Sequence, residues 1–170
     1  AGPILGRYMI NEGYQEQDIV VVSPDVAGVP RARALAEMLK APIAIIAKRR
    51  PEPNKVDIVE IIGDVEGKKC VMIDDMIDTG GSVIQGAEAL MKRGAVEVVV
   101  SCTHGIFSGN ASQRLQDSVV SKVISLDTFP IQSEKMVSKL TVLPSAELIG
   151  EAIKRIHLNE SVSTLFTDWR

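Results

Sequence analysis

Apolar residues gather in short, mostly uninterrupted runs at 19–22, 43–47, 71–73, 96–102, 123–126 and 140–143, rich in Val and Ile. Such runs predict strands buried on both faces, because a half-exposed strand alternates apolar with polar residues. Between them the period lengthens. Residues 31–40 put Leu35, Met38 and Leu39 on one side, and 82–92 do the same with Val83, Ala87, Leu90 and Met91. Residues 145–157 align Leu148, Ile149, Ala152, Ile153 and Ile156. These spacings predict amphipathic helices, the second stopped by Gly94. Strand alternating with helix predicts a doubly wound, mostly parallel α/β sheet. Residues 48–54, Lys-Arg-Arg-Pro-Glu-Pro-Asn, break the pattern. Two prolines and three adjacent cations exclude a central strand there and predict an exposed loop leaving a strand end.

Composition narrows the choices. A chain of 170 residues is expected to form one domain. Aromatic residues make up only 4%, so aliphatic side chains must build the core. The formal net charge of -3 argues against nucleic acid as a partner, which would call for a basic stripe. No apolar run is long enough to span a bilayer, so no membrane partner is expected. Residues 1–6 lack the charged and apolar regions of a signal peptide. Cys70 and Cys102 sit in strand-like runs, which predicts buried, reduced thiols and a cytoplasmic setting.

The strongest chemical signal is Val71-Met72-Ile73-Asp74-Asp75-Met76-Ile77-Asp78-Thr79-Gly80-Gly81-Ser82. An apolar strand ends in two carboxylates, a third acid follows, and a Thr-Gly-Gly-Ser turn opens a helix. The turn aims backbone N–H groups outward, and the glycines permit close approach of a phosphate. Thr79 and Ser82 add hydroxyl donors. Asp74 and Asp75 would repel a phosphate; they suit sugar hydroxyls or a divalent cation. The composite predicts a sugar-phosphate site at the carboxyl end of a strand, where open α/β sheets gather ligands. Capping of the helix by Asp78 or Thr79 would explain one such residue, but not two acids and two glycines together.

This motif resembles the ribose-phosphate loop of type I phosphoribosyltransferases. Further blocks resemble the ribose-phosphate pyrophosphokinases in particular. Val22-Ser23-Pro24-Asp25-Val26-Ala27-Gly28, followed by Arg31-Ala32-Arg33-Ala34, resembles their pyrophosphate loop, and Lys48-Arg49-Arg50-Pro51 their catalytic loop. Thr103-His104-Gly105-Ile106-Phe107-Ser108-Gly109 and Glu160-Ser161-Val162-Ser163-Thr164-Leu165-Phe166 are similar to that family as well. The resemblance runs over almost the whole chain. It implies the type I phosphoribosyltransferase kind of fold. It also implies transfer of the diphosphoryl group of Mg-ATP to the anomeric hydroxyl of ribose 5-phosphate, with AMP leaving, for nucleotide biosynthesis.

By the same resemblance, Asp25 binds the Mg²⁺ carried by the triphosphate, while Val26, Ala27, Gly28 and Arg31 lie beside the pyrophosphate. Asp74 and Asp75 hold the ribose hydroxyls and a cation; Asp78, Thr79, Gly80, Gly81 and Ser82 hold the 5-phosphate. Lys48 and Arg50 are the catalytic cations, and Arg49, alternating with them, faces solvent. Ser161, Val162, Ser163 and Phe166 line a regulatory phosphate or ADP site between subunits of a homo-oligomer. From the residues alone, Asp25 also reads as a turn acid after a proline and 48–50 as a solvated basic loop.

Ala27 stands where the family usually has glycine, and Gly80 and Ser82 stand where Ala or Cys and Thr are common. Residues 1–170 are expected to be the C-terminal, phosphoribosyltransferase-like domain. The resemblance implies that the family's N-terminal domain, with most of the adenine pocket and a metal-binding histidine, is absent from this chain. Neither His104 nor His157 replaces that histidine, and residues 3–8 resemble the family's linker. A chain lacking that half is expected to be inactive alone. The alternatives are a type I phosphoribosyltransferase, for which no aromatic-rich base hood is visible, or a non-catalytic regulatory paralogue.

Overall fold

The computed structural model of the chain describes residues 1–14, 18–49 and 58–166. Helix α1 (Gly2–Asn11) leads into β1 (Ile19–Ser23), α2 (Val29–Leu39), β2 (Ile43–Arg49) and β3 (Ile58–Ile62). Then come β4 (Lys69–Ile77), α3 (Gly81–Lys92), β5 (Glu97–Gly105), α4 (Ala111–Asp117), β6 (Lys122–Leu126), β7 (Leu140–Leu143) and α5 (Ala146–His157). Short 3-10 turns lie at Ser133–Lys135 and Ser163–Phe166. Among the described residues seven strands form one sheet in the order β3-β2-β1-β4-β5-β6-β7. Every pairing is parallel except β2 with β3.

The unbroken apolar runs are explained by two cores, one on each face of the sheet. Val20, Val22, Met72, Val98 and Val100 face Val83, Ala87 and Leu90 of α3. Their strand neighbours Ile19, Val21, Val71, Ile73 and Val99 face the other way, onto Leu35 and Leu39 of α2 and Leu5 and Met9 of α1. Side chains alternate along a strand, so burying both faces requires an apolar residue at every step. All five residues of β1 are buried accordingly. Cys70 and Cys102 are both free and buried. No helix among the described residues is long and apolar enough to cross a membrane.

Several expectations need correction. Lys48 and Arg49 belong to β2, not to a loop: their backbone pairs with Val59 and Ile58 of β3, so this antiparallel pairing carries the strand past the apolar residues. Likewise β4 does not end at Asp74. Because β5 runs equally far beside it, the ladder continues through Asp74↔Cys102 to Ile77↔Gly105. Residues 3–8 lie within α1, whose Gly6 seats Met38 of α2; their resemblance to the family's linker is unaffected. His104 lies inside β5, not after it. The capping alternative set aside for Asp78 and Thr79 does not occur: the N-cap of α3 is Gly80, with no side-chain cap. Finally, α5 has the expected apolar stripe but buries no residue, and Ile149, Ile153 and Ile156 are exposed. Periodicity shows that a stripe exists; what covers it depends on the rest of the fold.

The strand order places the site. From β1 the chain proceeds toward β3, and from β4 toward β7, so the direction reverses between β1 and β4. A crevice opens at the carboxyl ends of strands flanking such a reversal. The β1–α2 and β4–α3 loops both empty into it.

Candidate functional site

The β1–α2 loop is held by its own side chains. Ser23, fully buried, donates its hydroxyl to the Asp25 carbonyl at 2.7 Å. The Gly28 N–H donates to Asp25 Oδ1 at 2.7 Å. Val26 and Ala27 are exposed between these supports, whereas Gly28 is buried. A Cβ on Gly28 would lie 2.8 Å from Ser23 Oγ, so glycine is fixed here by packing. Its φ of −75° is open to any residue.

Arg31, in the first turn of α2, reaches across to β4. Its Nη1 stands 3.2 Å from Asp74 Oδ1 and its Nη2 3.1 Å from Asp75 Oδ2. The acids also fold back on the strand: Asp74 Oδ1 accepts the Asp75 N–H and Asp75 Oδ1 the Met76 N–H, both at 2.8 Å. Burial pushes the Asp74 carboxyl above its ordinary pKa, and the neighbouring Asp75 adds to the effect. For Asp75 desolvation acts upward too, but the hydrogen bond with Asp74 and the Arg31 charge outweigh it and hold the group below its ordinary value. One half-buried acid that is reluctant to ionise sits beside one that ionises readily.

The next turn has a different character. Asp78 and Thr79 are exposed and Gly80 is buried. Gly80 takes φ 74°, a left-handed conformation that favours glycine, and starts α3 without a side-chain cap. The first turn of α3 holds no acidic residue. Its leading N–H groups, which have no partner within the helix, therefore face outward beside exposed Thr79 and Ser82. At Gly81 a Cβ would meet nothing closer than 3.7 Å, so the chain itself leaves that approach open.

Other expected site residues lie elsewhere or outside the description. Arg50 falls outside the described residues, as do the side chains of Lys48, Arg49 and Phe166. Ser161, Val162 and Ser163 follow α5, where the Ser161 and Ser163 hydroxyls are 2.7 Å apart. Arg155 of α5 ties this tail down through the Ser161 carbonyl and the Thr164 hydroxyl. Leu165 helps line a cleft of about 400 Å³ with Ile4 and Tyr8 of α1 and Leu148 of α5, a cleft that includes none of the phosphate-loop residues. Among the described residues no three His, Cys, Asp or Glu side chains converge as a metal cage. His104 Nδ1 lies 2.9 Å from Thr128 Oγ1, whose hydroxyl donates to the Thr103 carbonyl, a structural tie behind β5.

Comparison with known proteins agrees with this geometry. Residues 48–167 match the family described as Phosphoribosyl synthetase-associated domain. A ribose-phosphate pyrophosphokinase of Clostridium acetobutylicum is 51% identical over 166 residues, covering 98% of this chain and 52% of the relative. Ribose-phosphate pyrophosphokinase 2 of Enterococcus faecalis is also 51% identical, over 96% of this chain and 51% of its own length. The solved phosphoribosylpyrophosphate synthetase of Mycobacterium smegmatis superposes with a TM-score of 0.84 at 38% identity, covering 94% of this chain and 51% of that one. A purine phosphoribosyltransferase from Pyrococcus horikoshii, at 17% identity and TM-score 0.52, covers 85% of each chain and shares the fold alone. The chain thus spans about half the length of the curated relatives it matches.

Proposed function

The chain belongs to the Phosphoribosyl synthetase-associated domain family, and from that premise we propose that it is the sugar-phosphate-binding half of a ribose-phosphate pyrophosphokinase. The reaction is transfer of the diphosphoryl group of Mg-ATP to the anomeric hydroxyl of ribose 5-phosphate. Residues 1–170 correspond to the C-terminal domain of such an enzyme, working with an N-terminal half in a cytoplasmic homo-oligomer. The carrying observation is the pairing of Asp74 and Asp75 with an uncapped helix start behind left-handed Gly80. A sugar phosphate has a diol for the acids at one end and a dianion for the turn at the other.

In this reading Asp78 to Ser82 hold the 5-phosphate and Asp74 and Asp75 the ribose hydroxyls. Asp25, Val26, Ala27, Gly28 and Arg31 border the diphosphate, where exposed residues 25–27 leave room. Magnesium is commonly held by one or two carboxylates with phosphates and water completing its shell, so Asp25 or the Asp74–Asp75 pair suits it without a cage. When bound, the ion would neutralise phosphate charge. Lys48 and Arg50 supply charge to the transferring group, and Ser161, Val162, Ser163 and Phe166 belong to a regulatory phosphate or ADP site.

Phosphoryl-type transfer depends on holding both reactants in line. The chain alone should therefore bind ribose 5-phosphate without appreciable synthesis, ATP lacking the grip of the other half. Calorimetry with ribose 5-phosphate, alongside AMP release from Mg-ATP, tests both parts. Failure to bind the sugar phosphate would remove the site from the β4–α3 loop. Full turnover would show that the other half is dispensable.

A further inference from the structure

The segment after β5 closes over the back of the β4–α3 turn. The N–H groups of Ile106 and Phe107 both donate to the Ile77 carbonyl, at 3.0 and 3.1 Å, and Ser108 N–H donates to the Asp78 carbonyl at 3.1 Å. Phe107 keeps this course with a φ of 49° and a buried ring packed against Gly105. Helix α4 continues the brace. Leu115 Cγ lies 3.5 Å from where a side chain on Gly80 would begin. Arg114 Nη1 donates to the Thr79 carbonyl at 2.9 Å, and its Nη2 stands 3.7 Å from the Cβ position of Gly81.

A turn that cradles an anion must point its carbonyl oxygens away from it. The four carbonyls from Ile77 to Gly80 are all engaged: Ile77 and Asp78 by the backbone of 106–108, Thr79 by Arg114, and Gly80 by the Ile84 N–H. Among the described residues the Thr79 carbonyl alone of these is held by a side chain. The bond from Arg114 goes to a neutral acceptor, which orients the guanidinium without neutralising it. Its second nitrogen then lies at the rim where Gly81 leaves the approach open.

We propose that Arg114 is a positioning residue for the phosphate of the bound sugar, holding the Thr79 carbonyl out of the cradle and setting a positive charge at its edge. This rests on the reading of the β4–α3 turn as the 5-phosphate site. Arg114 is exposed, so its replacement should leave folding intact. Arg114→Gln is expected to weaken ribose 5-phosphate binding roughly tenfold or more, as loss of a charge-assisted contact does.

A scaffold role and a charge role separate by pH. The second ionisation of a phosphate monoester lies near about 6. A facing cation therefore makes native affinity climb between about pH 5 and 7, and Arg114→Gln should flatten that climb. Among the described residues the other charges near the turn are Asp74 and Asp75 on β4, Asp78 in the turn and Arg31 on α2. They are common to native and variant, so the ratio at each pH isolates Arg114. Arg114→Lys should restore the climb while recovering only part of the affinity, since one ammonium cannot serve both partners as a fork does.

Calorimetric titration of ribose 5-phosphate into native chain, Arg114→Gln and Arg114→Lys, with melting temperatures as the folding check, decides it. Native binding with an equally tight Arg114→Gln variant would overturn the role of Arg114 alone. A loss equal at every pH, with Lys no better than Gln, would reduce Arg114 to a scaffold and overturn the proposal as stated. Absence of binding by the native chain would sink the sugar-phosphate reading itself and this inference with it.

Discussion

The loops after β1 and β4 open into the same crevice but are supported differently. In the first, Ser23 and Asp25 bond to groups two and three residues away, so the loop carries its own scaffold. In the second, support comes from 106–108, Arg114 and Leu115, brought in by the β4–β5 pairing and α4. Glycine also serves the two loops differently. Gly28 answers a packing limit at ordinary φ, whereas Gly80 answers a left-handed backbone with ordinary van der Waals room around it. A self-supported loop stays in shape whatever its neighbours do. A cross-supported one couples ligand binding to elements distant in the chain.

The largest effect should come from separating the glycines of the second loop. Gly80→Val forces a β-branched residue into the left-handed region, at a cost of about 2 kcal/mol, and should abolish ribose 5-phosphate binding. Gly81→Ala meets only ordinary contacts. Its unfolding free energy should stay within about 0.5 kcal/mol of native, or rise slightly, while its affinity for the sugar phosphate drops because the new methyl fills the approach. Urea unfolding and calorimetry on the two variants check this. Equal stability losses at both positions would mean that backbone conformation does not distinguish them.

In the first loop the corresponding change is Gly28→Ala. Its methyl would crowd Ser23 Oγ, and overpacking of this kind costs about 1–2 kcal/mol. Ser23→Ala alone should cost about 1 kcal/mol for the lost hydrogen bond to Asp25. Together they should cost less than the sum, because removing the hydroxyl makes room for the methyl. A coupling of about 1 kcal/mol in a double-mutant cycle by urea unfolding is expected. Additive costs would mean that the serine simply turns aside.

This contrast also explains what could be read from the sequence. Ser-Pro-Asp-x-x-Gly and Asp-Asp-x-x-Asp-Thr-Gly-Gly-Ser are local strings, so both loops could be picked out along the chain, the first by resemblance and the second by its residues. The buried strands were legible from unbroken Val and Ile. Arg114 was not: α4 has only seven residues, too few for a clear period, and its acceptor lies 35 positions away. Arg31 was placed at the pyrophosphate loop by resemblance, and its contact with Asp74 and Asp75 depends on β1 and β4 being neighbours. The edge strand β3 went unread because Ile58–Ile62 follows a run broken by prolines and charges. In α5 the stripe was legible, yet its exposure depends on what packs nearby.

A smaller effect tests whether Asp25 serves its loop as a hydrogen-bond acceptor. Asp25→Asn retains an amide oxygen for the Gly28 N–H and should unfold within about 0.5 kcal/mol of native, whereas Asp25→Ala should lose about 1 kcal/mol, as removal of a capping side chain does. Both should weaken Mg-ATP binding in an intact enzyme, since neither offers a carboxylate. Chemical denaturation separates the two roles. An Asn variant as unstable as the Ala one would show that the charge, and not the acceptor, holds the loop.

The smallest effect concerns the bridge between the loops, where Arg31 meets Asp74 and Asp75. The folded pKa of Asp75 lies below its ordinary value, so its stabilising share is complete above about pH 4 and is lost as pH falls through the lower folded value. Asp74 is shifted the other way. Ionising it opposes folding, a cost absent at low pH and fully present only above its raised value. The two slopes oppose each other, and Asp75 and Arg31 are partly exposed to screening water. Arg31→Gln should therefore change acid-side stability by less than about 1 kcal/mol. The titrations themselves should move more clearly. Without the guanidinium both carboxyls lose a favourable counter-charge, so both pKa values should rise, with the pair still releasing its protons jointly. Carboxyl-carbon NMR titration of native chain and variant reads this directly, and urea midpoints at about pH 3 and 6 give the stability side. If Asp75 titrates at the same pH in both, Arg31 does not hold it in solution and the loops act independently. If both values rise, an arriving cation or sugar diol must displace a resident guanidinium, which is then released on the side of the crevice bordered by the β1–α2 loop.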